Sequence, residues 1–201
     1  MPYDPERHRR RSIRLKGYDY SQAGAYAVTL VSYGRETLFG EIVDGQMALN
    51  AAGKVIAATW RWLAVHYPYI ILDAWVVMPN HLHGIIILAG DECRGEEAGG
   101  TIPPSGRSDV PASSPPYHPS PRPHGTQPGS LSAIIQTHKA ESTRRVSRTL
   151  GLYDSGNHVW QRNYYERIIR NEREMDAIRA YIANNPIQWA LDRENPLLEH
   201  P

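Results

Sequence analysis

His81 and His83 stand one residue apart at the start of an apolar run, HLHGIIIL, that follows the dipeptide Pro79-Asn80. In a strand, residues i and i+2 point to the same face. The two imidazoles then project side by side, about 7 Å apart along the chain. Such a pair can hold one divalent metal. Two protein ligands leave coordination positions open to substrate oxygens, which suits Lewis-acid work on a phosphate better than a closed structural site. The alternative is a chance H-x-H on an exposed strand face. Apolar runs on both sides weigh against it, because idle imidazoles are awkward to bury.

Tyr181 and Asn185 form a second constellation. Four residues apart on a helix, they stack on one face, at the flank of an apolar stripe made by Met175, Ile178 and Ile182. A tyrosine placed there can act as a nucleophile toward a metal-polarised phosphate, and the Asn185 amide oxygen can serve as a third metal ligand. The same spacing also fits a boundary aromatic at Tyr181 and a helix C-cap at Asn185 before Pro186. The residues alone leave both readings open. Of the other candidates, His66 reads as a helix-end residue complementing the dipole, and His138 as a core histidine on an apolar stripe. Asp73 interrupts an apolar strand and faces either the site or a partner. Trp160 reads as packing, while Tyr164 and Tyr165 are either sheet-edge residues or stacking platforms for unpaired bases.

The elements that must position these groups follow from periodicity and turn chemistry. Residues 25–32 (AYAVTLVS) are rich in β-branched and aromatic residues and predict a strand. Residues 39–43 and 46–49 predict a hairpin around Asp44-Gly45. Asn50 is the expected N-cap of a helix over 51–66, with Val55, Ile56, Thr59, Trp62 and Leu63 on its inner face. Two near-continuous apolar runs, 70–78 and 81–88, predict a hairpin of central strands covered on both faces. A helix is expected over 130–150 with Leu131, Ile134, Ile135, His138 and Val146 inward, then one bent strand over 159–169. A last helix begins at Asn171, with Glu174 completing a capping-box-like pair, and stops at Pro186 because the preceding residue is pushed out of the α region. This order predicts an α+β domain: an antiparallel sheet with helices packed on it, ferredoxin-like or RRM-like.

The 201 residues suggest one domain. The expected organisation is a basic N-terminal arm over 1–20 and a single domain over 21–201. A flexible insertion at about 90–129 interrupts that domain; it carries nine of the sixteen prolines and almost no large apolar residues. The single cysteine, Cys93, falls in the insertion and excludes an internal disulfide or a multi-cysteine zinc site within one chain. Net charge is only +1, but Arg7, Arg9, Arg10, Arg11, Arg14 and Lys16 cluster at the start. Lys139, Arg144, Arg145 and Arg148 form a second group, and local basic clusters of this kind can contact phosphates. No apolar run approaches the ~18 residues of a membrane span, and the polar start has no signal-peptide h-region. The expected location is cytoplasmic and nucleoid-associated.

The stretch 76–84 (VVMPNHLHG) resembles the signature of IS200-like single-tyrosine transposases of the HUH superfamily, in particular the REP-associated branch. Further agreement lies at Arg14-Leu15 with Tyr18-Asp19-Tyr20, at Phe39-Gly40, at 160–166 (WQRNYYE) and at 181–186 (YIANNP). The resemblance spans nearly the whole chain outside 90–128. It implies His81 and His83 as the metal-binding pair and Tyr181 as the nucleophile, giving a 5′-phosphotyrosine link and a free 3′-hydroxyl. Asn185 falls at the position of a polar metal ligand. It further implies magnesium or manganese, single-stranded DNA with small hairpins as the partner, and a monomer or a homodimer. The alternatives are a catalytically silent RRM-like nucleic-acid-binding protein and a replication-initiator or relaxase-type HUH nuclease.

Overall fold

The structure is a computed structural model that describes residues 18–90, 126–151, 158–192 and 195. The expected basic arm up to residue 17, most of the expected insertion and Cys93 lie outside the described residues. Along the chain run β1 (Gly24–Val31), β2 (Gly40–Val43), β3 (Gln46–Leu49), α1 (Ala51–His66), β4 (Ile70–Val77), β5 (His81–Leu88), α2 (Leu131–Leu150), β6 (Tyr165–Ile169) and α3 (Glu172–Asn184).

Four strands make one antiparallel sheet in the order β4-β5-β1-β6, and β2 with β3 forms a separate hairpin. Leaving that hairpin aside, the main-sheet elements read βαββαβ with spatial order 2-3-1-4. This is the ferredoxin-like α+β arrangement expected from the sequence. Tyr26, Val28 and Leu30 of β1 and Leu82, Ile86 and Leu88 of β5 pack with Ile56, Trp60, Leu63, Ile134 and Ile135 of α1 and α2. On the opposite face, Ile85 and Ile169 meet Met175 and Ile182 of α3. Burial on both faces is why β5 carries no polar side chain after His83.

Local chemistry sets the boundaries. Asp44 (φ 50°) and Gly45 (φ 72°) both adopt the left-handed conformation that a type I′ hairpin turn requires. The Asn50 side chain accepts the Gly53 N–H at 2.9 Å, and the Asn171 side chain accepts the Glu174 N–H at 2.9 Å, so both expected N-caps are formed. The Glu174 carboxylate accepts the backbone N–H of Arg170 rather than that of Asn171, a one-residue departure from the expected box.

Three expectations need correction. The bent strand over 159–169 is strand only from Tyr165; upstream, Trp160 makes one isolated bridge to Ser32. The intervening backbone leaves the ladder because the Lys139 ammonium satisfies its carbonyls, donating to Gln161 at 2.9 Å and Asn163 at 2.8 Å. α3 ends at Asn184, yet Asn185 keeps αR geometry (φ −57°, ψ −42°). The regular helix therefore stops because Pro186 brings no N–H to continue the ladder, not because Asn185 is forced out of the helical region. In α1, Trp60 is fully buried although it was not among the expected inward residues, whereas Trp62 lies at the margin.

Gly84 is positioned by Trp60. A Cβ at residue 84 would sit 2.4 Å from Trp60 Cζ2, and the indole is itself fully buried. Gly84→Ala is expected to cost about 1–3 kcal/mol through overpacking. Urea denaturation should show the midpoint falling with little change in slope.

Candidate active site

His81 and His83 open β5, directly after the two-residue Pro79-Asn80 loop closed by the Met78 N–H to His81 carbonyl bond of 2.8 Å. Pairing with β1 sets His83 opposite Thr29 and His81 opposite Val31. Both imidazoles point to the α3 side of the sheet, their ring centroids 4.4 Å apart.

Each ring is oriented by a bond to Nδ1. His81 Nδ1 lies 2.9 Å from Asn80 Oδ1, and the Asn80 amide nitrogen donates to the Arg35 carbonyl at 3.0 Å. The amide oxygen therefore accepts, Nδ1 carries the proton, and the Nε2 lone pair is free. His83 Nδ1 lies 2.8 Å from Thr29 Oγ1. With its proton on Nδ1, His83 presents Nε2 as an acceptor to the Tyr181 hydroxyl, 3.3 Å away. Burial holds both imidazoles neutral. It pushes His81 well below the usual histidine range, with His83 adding to the effect, and it pushes His83 down to about 4 against the opposing charge of Asp192.

α3 delivers the remaining groups. Tyr181 is 48% exposed and sets its ring edge-on to His83, with 5.2 Å between centroids. One turn on, Asn185 is buried and its amide nitrogen donates to Asp192 Oδ2 at 2.9 Å. Its Oδ1 is buried with no hydrogen-bond partner among the described residues, as is His81 Nε2. Asp192 Oδ2 stands 3.8 Å from His81 Nε2. The ligand atoms of His81, His83 and Asp192 all lie within 4.8 Å of one another, so these residues could hold a metal ion. Two orphaned buried acceptors beside a carboxylate are donors of the kind a divalent cation takes.

His81, His83 and Tyr181, singled out by the sequence, thus come together, and Asn185 joins them through Asp192. Three further participants had little or no signal. Thr29 is placed by strand register, Asn80 read only as a turn residue, and Asp192 follows α3 without any periodic pattern. Asp73, left undecided by the sequence, faces α3. β4 carries one extra residue between its Leu72–Ile86 and Trp75–Gly84 pairs, and this bulge turns Asp73 toward Arg179. Arg179 grips it with two bonds of 2.8 Å, Nε to Oδ1 and Nη2 to Oδ2, which hold the Asp73 carboxyl below its usual range. The clamp ties α3 to β4 two residues before Tyr181.

His138 lies apart from the site, fully buried and edge-on to Trp60 at 5.2 Å between centroids. His66 stacks on Trp62 at the end of α1, 4.4 Å between centroids, as a helix-end residue. No described helix is long and apolar enough to cross a membrane.

The family described as "Transposase IS200 like" matches residues 125–185. An uncharacterised protein of Haemophilus influenzae is 35% identical over 197 residues, covering 95% of this chain and 96% of its own. Among solved structures, a REP-associated tyrosine transposase bound to a REP hairpin is similar in fold. It has a TM-score of 0.50 and 18% identity, covering 90% of this chain and 77% of that one.

Burial lowers the His138 pKa to about 3 from its ordinary 6.5. The unfolded chain therefore binds a proton between those values that the folded chain refuses. The stability contributed is complete above pH 6.5 and is lost as pH falls toward 3, at about 1.4 kcal/mol per pH unit. Urea unfolding of a His138→Leu variant is expected to show a pH dependence shallower by about that amount between pH 6.5 and pH 4.

Proposed function

The chain belongs to the IS200-like transposase family, and on that premise we propose that it cuts and rejoins single-stranded DNA through Tyr181, aided by a divalent metal held by His81, His83 and Asn185. The observation that carries this reading is the contact of the Tyr181 hydroxyl with His83 Nε2 at 3.3 Å, beside the unpartnered Nε2 of His81 and Oδ1 of Asn185. Two neutral imidazoles, an amide oxygen and the Asp192 carboxylate make a mixed nitrogen–oxygen donor set, which suits Mn2+ better than Mg2+ of the two ions that the resemblance implies. When bound, such an ion would stabilise charge developing on a phosphate oxygen.

The protein's own groups do the rest. Asn80 fixes the His81 tautomer and Thr29 orients the His83 ring, so that the Nε2 atoms of both face the site. Asp192 holds the Asn185 amide nitrogen and thereby turns its oxygen inward. The Arg179–Asp73 clamp fixes the turn of α3 that carries Tyr181. The Tyr181 oxygen attacks phosphorus, a P–O bond to tyrosine forms, and the bond to the 3′ oxygen breaks. The phenolic proton passes to water, to which the half-exposed ring is open. The departing 3′ oxygen takes a proton from water to become a 3′-hydroxyl, and the phosphodiester energy stays in the tyrosine link for rejoining. Hairpin DNA, as bound by the structurally similar transposase, is the substrate form we expect. The tyrosine and both histidines lie together within one chain, which supports action by a monomer.

The test uses labelled single strands containing short palindromes from the DNA flanking the gene, incubated with Mn2+ and run on a denaturing gel. Wild type should give a shifted covalent adduct and Tyr181→Phe none; an adduct that persists in Tyr181→Phe excludes the mechanism. Asn185→Ala should need roughly ten-fold more Mn2+ or greater for half-maximal adduct. A mixture of Tyr181→Phe and His81→Ala proteins should stay inactive, since each chain assembles its own site. Recovery of adduct in the mixture would show exchange between chains.

A further inference from the structure

α3 packs against β4, which leaves the β1–β6 side of the same sheet face incompletely covered. A cavity of about 420 Å3 lies there, between α3 and the β1–β6 pair, with His83 and Tyr181 at one end. That is the size range of small-ligand sites, ~300–1,000 Å3. Its floor and walls include Ala27, Thr29, Tyr165 and Ala177, and they are overwhelmingly apolar. The room comes from two small residues: alanines at 27 and 177 stand where a larger side chain would fill the gap between sheet and helix.

Three observations define the occupant. Tyr165 pairs directly opposite Thr29, so its ring stands on the α3 side of the sheet, and it is 47% exposed at the cavity's edge. Arg167, the cation in the lining, is held by the Glu174 carboxylate through Nε at 2.7 Å, so its charge is already matched. Thr29 Oγ1 is engaged with His83 Nδ1. A phosphate would find little free positive charge here, whereas a flat apolar ring would find walls and an aromatic face. Tyr181 itself lines the cavity.

We infer that this cavity holds one unpaired nucleobase of the strand presented to Tyr181, stacked on the Tyr165 ring beside the phosphate under attack. The inference rests on the proposed single-strand chemistry for the identity of the strand. With few free polar atoms in its walls, the slot holds a base by shape and stacking rather than by a hydrogen-bond pattern, so it accepts all four bases and rejects an abasic residue.

The probe is a twelve-residue oligo(dT) with 5-iododeoxyuridine at one central position, used without metal so that no cutting is needed. Ultraviolet cross-linking followed by peptide mass spectrometry should place the link on Tyr165 or Tyr181. Ala177 is exposed on α3, so Ala177→Trp can fill the slot without entering the core. It should abolish that cross-link and weaken binding by fluorescence anisotropy about ten-fold. Tyr165→Ala should weaken binding similarly, Tyr165→Phe should not, and an abasic residue at the central position should bind as weakly to wild type as oligo(dT) binds to Tyr165→Ala. Cross-links confined to other surfaces, or wild-type affinity in both Ala177→Trp and Tyr165→Ala, would overturn the inference. So would a change in sedimentation without a change in DNA binding, which would mark the slot as a contact between copies. Adduct formation on the denaturing gel reports separately on the chemistry, so loss of one result leaves the other readable.

Discussion

A buried imidazole whose Nε2 has no partner, as in His81, is costly, and a second ring 4.4 Å away disfavours charge on either. His81 and His83 meet that constraint at the start of a central strand. The Asn80 amide oxygen accepts a hydrogen bond from Nδ1 of one ring and the Thr29 hydroxyl is set against Nδ1 of the other. Burial keeps both neutral, which leaves their lone pairs as the chemically useful feature of the site. The pairing of β5 with β1 supplies Thr29, the tight loop supplies Asn80, and the apolar core beneath Gly84 leaves the strand little freedom to shift.

α3 meets the histidines from the other side, and its attachment is ionic as well as apolar. Met175 and Ile182 bury against the sheet. The bidentate grip of Arg179 on Asp73 fixes rotation about the helix axis in a way that two apolar contacts alone would not. Tyr181 can then stay half-exposed, open to a strand in solution, while its hydroxyl meets His83. Because α3 packs on β4, the space over β1 and β6 remains open beside the tyrosine.

Much of this was legible in the sequence because it rests on short-range patterns. Period-two spacing put His81 and His83 on one face, and the four-residue spacing put Tyr181 and Asn185 on another. The caps at Asn50 and Asn171 and the turn at Asp44-Gly45 follow from local hydrogen-bond and backbone preferences. Parts set by tertiary partners were not legible. The segment before Tyr165 has strand-like composition, yet Lys139 from α2 captures its carbonyls. Trp60 is inward because Gly84, far along the chain, makes room for it. Asp73 turns toward α3 through a bulge that no residue of β4 announces. Asp192 reaches the site only because the chain continues in helical turns past Pro186. The reading of Tyr181 as a nucleophile came from family resemblance, since spacing alone favoured a boundary aromatic.

The central claim is that the His81 and His83 lone pairs jointly hold one divalent ion beside Tyr181. Pulsed electron paramagnetic resonance on the protein loaded with one equivalent of Mn2+ tests it without any DNA. The account predicts nitrogen modulation from two imidazoles, reduced to one in either His81→Ala or His83→Ala and absent in the double variant. Bound Mn2+ without imidazole nitrogen, or a signal unchanged in those variants, would contradict it.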